Sequence, residues 1–188
     1  MVQQHEDADH RIVQHFFARR GFITECIPET VSKTPDFRIC RDAEVVAFCE
    51  VKSPQDVFIE RVEEAIRGSK GGISETGYGN DYRQARCIER AATKAAAQFA
   101  AVNSAHTVPN ILMIVNHDTV SLYDDFSQAI TGEIGGLGRV GEAVRDKVPE
   151  IDACVWIDAS GRTAAQPQRL FRHQGPLKET VREVLQLG

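Results

Sequence analysis

The sequence predicts a single domain of mixed α/β class, with a mixed central sheet flanked by helices. Its length of 188 residues is typical of one domain, which we assign to residues 1–188. Helical and strand-like segments are interspersed along the chain, in the order α-β-β-β-(α)-α-β-(loop/α)-β-α, which indicates a mixed α/β domain. Two continuous apolar runs, 111–117 and 153–158, are typical of strands buried on both faces. The hydrophobic fraction of 42% is large enough to build an ordinary core around those strands.

The individual elements follow from apolar spacing and from the glycines and prolines that end them. Gly21 ends the first helix, Pro28 ends the first strand, and Pro176 begins the last helix. The glycine-rich stretch 68–81 is long enough to be a functional loop, and 118–150 is mixed. In chain order we expect a helix at 5–20, strands at 22–27, 35–40 and 45–52, helices at 57–67 and 82–102, strands at 111–117 and 153–158, and a helix at 176–187.

Composition limits the classes of function. The net charge of −5 argues against a protein that binds nucleic acid mainly through bulk positive charge, but it allows a local basic groove. No apolar run reaches the roughly 18 residues that a membrane span needs, so we expect no membrane partner. Five scattered cysteines and a polar first segment without a secretory signal indicate a reducing, cytoplasmic location.

The hairpin at 35–52 carries charges where a buried strand should be apolar. If 42–44 form a three-residue turn, Arg41 faces Val45 and Asp36 faces Glu50. Two carboxylates would then lie side by side. They repel each other unless one is protonated or a cation lies between them. The hairpin therefore predicts either a cation site or an ordinary surface hairpin whose charges pair in solvent.

Lys52 adds a third charge to this group. Because side chains alternate along a strand, Lys52 points to the same face as Glu50. Hard carboxylate oxygens and a backbone carbonyl suit Mg²⁺ or Mn²⁺. A lysine beside such an ion can orient or deprotonate a water molecule, or stabilise negative charge that develops on phosphorus.

Pro35-Asp36, followed by Glu50-Val51-Lys52 at the end of the next strand, resembles the PD-(D/E)xK nuclease superfamily. That superfamily includes restriction endonucleases and has an αβββαβ core. The resemblance covers residues of about 5–117, and the strand and helix within 151–187 would complete the domain.

The resemblance implies a metal-dependent hydrolase that cuts phosphodiester bonds, with DNA as the expected partner. It implies that Asp36, Glu50 and the carbonyl of Val51 bind Mg²⁺ (or Mn²⁺), and that Lys52 is the catalytic lysine. Many relatives act as dimers, so it also allows a homodimer.

Helix 5–20 offers a further acid. Asp9 and Glu6 lie on the apolar stripe of this helix, and many members of the superfamily add a metal-directed acid there. We prefer Asp9 as the additional metal ligand because it lies deeper in the helix. The alternative is an N-terminal charge that stabilises the helix dipole.

Helix 82–102 offers polar residues that could reach the strand ends. Gln98 and Lys94 lie at one edge of its apolar stripe, and Arg90 lies one turn away. We expect Gln98 to take part in catalysis. Arg86, Arg90 and Lys94, with Arg83, form a basic strip that would hold phosphates without reading sequence. The alternative is a solvated polar face with snorkelling side chains.

Two other signals carry less weight. The GxGxxG pattern at 136–141 does not follow a strand directly, which favours a flexible loop over a dinucleotide site. His117 is interpreted as a polar residue that marks the end of the strand at 111–117. Two other functions stay open beside the nuclease: a catalytically inactive nuclease-fold module that binds nucleic acid or protein, and a small structural protein.

Overall fold

The computed structural model confirms a mixed α/β architecture. It describes residues 2–28, 33–53, 83–117, 123–134, 138–139, 146, 148–159, 168–171 and 175–187. Its helices are α1 (Val2–Ala18), α2 (Arg83–Val102), α3 (Tyr123–Thr131) and α4 (Lys178–Leu185). Its strands are β1 (Ile23–Cys26), β2 (Phe37–Arg41), β3 (Glu44–Lys52), β4 (Asn110–Asn116), β5 (Glu133–Ile134), β6 (Gly138–Arg139), β7 (Ala153–Asp158) and β8 (Gln168–Phe171).

Within the described residues the main sheet has six strands, in the order β1-β2-β3-β4-β7-β8. The three central strands, β3, β4 and β7, run parallel to one another, whereas the outer pairings are antiparallel. All seven residues of β4 are buried, as expected for a strand covered on both faces. A separate two-stranded ladder joins β5 and β6.

Helices cover both faces of this sheet. Ile111, Met113 and Val115 on β4 pack in one apolar cluster with side chains of α1 and α4. The alternate residues Leu112 and Ile114 pack in a second cluster with side chains of α2 and α3. The sheet therefore has an α1/α4 face and an α2/α3 face, and each strand residue can be assigned to one of them by alternation.

The turn of the β2–β3 hairpin is one residue shorter than predicted. Asp42 and Ala43 are its two central residues, and both have positive φ, 50° and 67°. Arg41 pairs with Glu44. The predicted pairing of Arg41 with Val45 is therefore wrong. Two central residues of positive φ are typical of a tight hairpin turn whose twist matches that of the strands.

A register shift restores the predicted alignment at the other end of the hairpin. The pairing shifts by one residue after Ile39, so that Phe37 pairs with Cys49. Asp36 consequently lies beside Glu50, and its N–H donates to the Glu50 side chain. The extra residue on β3 offsets the missing residue of the turn, so the predicted proximity of the two acids holds although the turn differs.

Several sequence expectations lie outside the described residues. These are the helix at 57–67 and the loop at 68–81. Within the described residues, the strands β5, β6 and β8 were not predicted, and α3 lies in the stretch 118–150 that the sequence left as mixed. The three strands are only two to four residues long, which is too short for a clear alternation, whereas Phe126, Ala129 and Ile130 of α3 do follow helical spacing. No helix in the described ranges is long and apolar enough to cross a bilayer.

Ala43→Gly should stabilise the protein. An L-residue in the left-handed region is strained, and glycine relieves this strain at some cost in chain entropy, so we expect a net gain of about 0.5–1 kcal/mol in the free energy of unfolding. Urea denaturation measures it. The matched control is Ala97→Gly on the exposed side of α2, which should lose about 1 kcal/mol. A loss at both positions would contradict the left-handed turn.

Candidate active site

The charged residues of the hairpin lie at the carboxyl-terminal edge of the parallel strands. Glu50 and Lys52 are among the last residues of β3, and Asp36 directly precedes β2. His117 directly follows β4, the parallel neighbour of β3. Ligand-binding groups of open α/β sheets collect at this edge, because side chains and loops leave the sheet there.

Asp36 and Glu50 are joined by a reciprocal pair of hydrogen bonds. The N–H of Asp36 donates to Glu50 Oε2 at 3.1 Å, and the N–H of Val51 donates to Asp36 Oδ2 at 2.7 Å. Lys52 Nζ donates to Glu50 Oε1. Each carboxylate is therefore fixed by the main chain of the other strand, and the three predicted residues form one connected network.

The network is short of positive charge. The Glu50 side chain is 1% exposed, whereas that of Lys52 is 26% exposed. Burial, followed by the negative charge of Asp36, raises the pKa of Glu50 to about 7, although Lys52 and the Asp36 N–H act in the opposite direction. The lysine therefore offsets only part of the cost of placing two acids here. A further cation would favour the ionised pair.

His10 lies on the outer side of Asp36. Its Nε2 is 3.6 Å from Asp36 Oδ1, and its ring packs edge-on against Phe37 with centroids 4.8 Å apart. The hydrogen-bonding carboxylate of Asp36 raises the pKa of His10, against the lowering effect of burial. His10 was not among the residues predicted from the sequence. The feature of the sequence that could have identified His10 was its position next to Asp9 on the same helix.

Asp9 faces inward, as its place on the apolar stripe predicts, and it is 3% exposed. Glu6 is exposed. Ser53 Oγ donates to Asp9 Oδ2, and His117 Nε2 lies 2.5 Å from Asp9 Oδ1 and donates to it. Ser53 was not selected from the sequence, and His117 was set aside as a strand exit. The two contacts define a second polar group, which we call the Asp9 cluster.

Gln98 is buried on α2 and contacts the segment that leads to Asp36. Its Nε2 donates to the carbonyl oxygen of Thr34 at 2.8 Å. In this arrangement Gln98 supports the chain two residues before Asp36 and does not bond to the carboxylates through that amide nitrogen. This contact gives Gln98 a positioning role in addition to the catalytic role that the sequence predicted.

The structure describes the side chains of only part of the predicted basic strip. Arg90 and Lys94 are exposed on α2. Neither takes part in the described hydrogen bonds of Asp36 and Glu50. Arg86 lies in the first turns of α2, and its side chain falls outside the described part of the structure. The proposed phosphate contacts of all three residues stay predictions.

The acid pair offers oxygen atoms, which are the type of ligand atom that a hard divalent cation binds. Asp36 and Glu50 supply carboxylate oxygens, and Val51, the residue after Glu50, supplies a main-chain carbonyl. Among the described residues no three His, Cys, Asp or Glu side chains are grouped as a metal cluster. Asp9 is instead engaged by Ser53 and His117. Two carboxylates still suffice for Mg²⁺, which usually keeps several waters and takes few protein ligands.

Comparisons with protein-family models, curated proteins and solved structures find no match. The class of the site is therefore inferred from its own chemistry.

Glu50→Gln should stabilise the protein increasingly as pH rises. A carboxyl whose pKa is raised in the folded state costs nothing below its unfolded pKa of 4.5, and it costs most above about 7. The free energy of unfolding of the variant relative to wild type should rise across this window by on the order of 2–3 kcal/mol. Urea denaturation with a chelator present measures it.

The matched control is Glu44→Gln, at the exposed start of the same strand. A pH trend of equal size in this variant would show that the effect does not belong to the acid pair. A constant difference for Glu50→Gln across the same pH window would contradict a buried, repelled carboxyl.

Proposed function

We propose that this protein is a metal-dependent nuclease that hydrolyses phosphodiester bonds in DNA, built on a restriction endonuclease-like core. The observation that carries the proposal is the connected network of Asp36, Glu50 and Lys52 at the carboxyl edge of β3. It joins a buried acid pair that is short of positive charge to a partly exposed lysine. Among the described residues, which omit 54–82, the elements follow the order α1-β1-β2-β3-α2-β4, and this supports the proposal because it is the order of an αβββαβ core.

Mg²⁺ (or Mn²⁺) would be held by the carboxylates of Asp36 and Glu50 and the carbonyl of Val51. When bound, such an ion neutralises phosphate charge and makes water a better nucleophile at neutral pH. The reciprocal hydrogen bonds of the hairpin hold both carboxylates in place, so binding needs little rearrangement of the backbone.

Lys52 contributes a partly exposed positive charge beside the acid pair. Its stem leaves the sheet on the same side as Glu50, and its partial exposure lets the ammonium group reach a phosphate at the mouth of the site. There it orients the attacking water or stabilises the charge that develops on the phosphoryl oxygens. Gln98 supports this arrangement by holding Thr34 and hence the approach to Asp36.

Substrate contacts would come from α2. Arg90 and Lys94 are exposed on this helix, and Arg86 precedes them on the same helix. Lysine and arginine contacts to phosphate position a nucleic acid without reading its bases. Such a local strip is compatible with a net charge of −5, because binding depends on the field at the strip and not on the charge of the whole chain.

Purified protein should cleave plasmid or oligonucleotide DNA with Mg²⁺ or Mn²⁺ and not with EDTA. Asp36→Asn removes a ligand charge and Lys52→Met removes the ammonium, so each should lower the cleavage rate by about 100-fold or more. Asp42→Asn, in the exposed turn of the same hairpin, is the matched control and should keep wild-type activity. Gel assays of product formation over time measure the rates.

The proposal fails if wild-type protein shows no cleavage with either ion, or if Asp36→Asn and Lys52→Met keep full activity. Binding of oligonucleotides without cleavage would instead indicate the inactive binding module.

Divalent ions should raise the thermal stability of the wild-type protein. An ion that binds only the folded state adds about 1–3 kcal/mol when its concentration is about 10–100 times the dissociation constant. Asp36→Asn should lose most of this gain, and Asp42→Asn should retain it. Thermal unfolding followed by circular dichroism, with ion or with EDTA, measures the shift. An equal gain in both variants would place ion binding elsewhere.

A further inference from the structure

The Asp9 cluster joins three elements at the edge of the sheet. Asp9 comes from α1, Ser53 is the first residue after β3, and His117 is the first residue after β4. Both oxygens of the Asp9 carboxylate accept a hydrogen bond, one from Ser53 and one from His117. A carboxylate that is 3% exposed requires such partners, because an unpaired buried charge is strongly unfavourable.

The Asp9 cluster is distinct from the acid pair in its contacts: Asp9 bonds to Ser53 and His117, whereas His10, the next residue of α1, contacts Asp36. Val51 and Val115 pack on the α1/α4 face, and Ser53 and His117 each follow two residues later, on the same side by alternation. Glu50 and Lys52 point to the α2/α3 face by the same rule. The Asp9 carboxylate is therefore engaged by the residues that follow β3 and β4 and takes no part in the described hydrogen bonds of the acid pair.

The position of Ser53 matters because the regular ladder ends just before it. The last registered pair between β3 and β4 is Lys52 with Ile114. Ser53 lies just outside this ladder, and its side chain is bonded to Asp9. A small change of direction there is carried to the ammonium group by the long side chain of Lys52. Misplacement of a reacting group by about 1 Å can cost about 100-fold in rate.

We propose that Asp9 is a positioning residue and not a metal ligand: with Ser53 and His117 it fixes the end of β3 and so directs Lys52 into the site. This inference deepens the proposed nuclease function and rests on it for the catalytic consequence. The structural part, that Asp9 fixes the end of β3 without binding the ion, can be tested without activity.

The test compares Asp9→Asn and Ser53→Ala with Ser53→Thr, which keeps the hydroxyl. For the first two we expect kcat to fall by about 10–100-fold while KM changes by less than about threefold, since the group that moves acts on the chemical step. Ser53→Thr should stay within about threefold of wild type. Calorimetric titration with Mg²⁺ should give a wild-type dissociation constant, within about threefold, for all three variants.

Amide hydrogen exchange supplies a readout that needs no cleavage. In Asp9→Asn and Ser53→Ala the amides of residues 51–53 should exchange at least about tenfold faster than in wild type, and in Ser53→Thr at the wild-type rate. This result with an inactive wild-type protein would overturn the nuclease and keep the positioning role.

Three outcomes would overturn the inference. A loss of Mg²⁺ affinity of about tenfold or more in Asp9→Asn alone would make Asp9 a metal ligand. Unchanged kcat in both Asp9→Asn and Ser53→Ala, with an active wild-type protein, would remove the link to Lys52. Unchanged exchange at residues 51–53 would show that the Asp9 cluster does not fix the strand end.

Discussion

Glu50 places a carboxylate at the end of a strand that is buried on both faces, and the charge of that carboxylate has to be offset by groups within reach. The main chain supplies one donor through Asp36, and Lys52 supplies a charge. These groups are insufficient, because Asp36 brings a second negative charge and burial removes water, and both effects raise the pKa of Glu50. The rest of the site is arranged around this deficit.

The hairpin determines whether the two acids meet at all. A one-residue slip in register moves every side chain of a strand to the other face. The short turn at Asp42 and Ala43 would cause such a slip, and the shift after Ile39 cancels it. Sequence reasoning could predict the proximity of Asp36 and Glu50 from alternation and chain length. It could not predict the pair of compensating irregularities, because turn type depends on backbone angles that a non-glycine residue such as Ala43 rarely adopts.

Other parts of the site depend on packing between elements distant in the sequence. The apolar stripe of α1 predicts that Asp9 faces inward, and it does. Its partners Ser53 and His117 lie 44 and 108 residues away, and they meet Asp9 only because α1 crosses the ends of β3 and β4. Helix periodicity gives the direction of a side chain, whereas its partner is set by the position of the helix on the sheet. For the same reason the contact of Gln98 with Thr34 could not be deduced from the helix alone.

The charge deficit also bears on how an acidic protein could accept nucleic acid. Without an added ion the acid pair repels phosphate, and Lys52 is engaged with Glu50. A divalent ion at the acid pair would reverse the sign of the local field and weaken the hold of Glu50 on Lys52, because both compete for the same carboxylate. The ammonium would then be available to a phosphate at the mouth of the site. If the proposed function is right, ion binding and substrate binding would be coupled through Glu50, and attraction for DNA would arise at the site itself and not from the net charge of −5 of the chain.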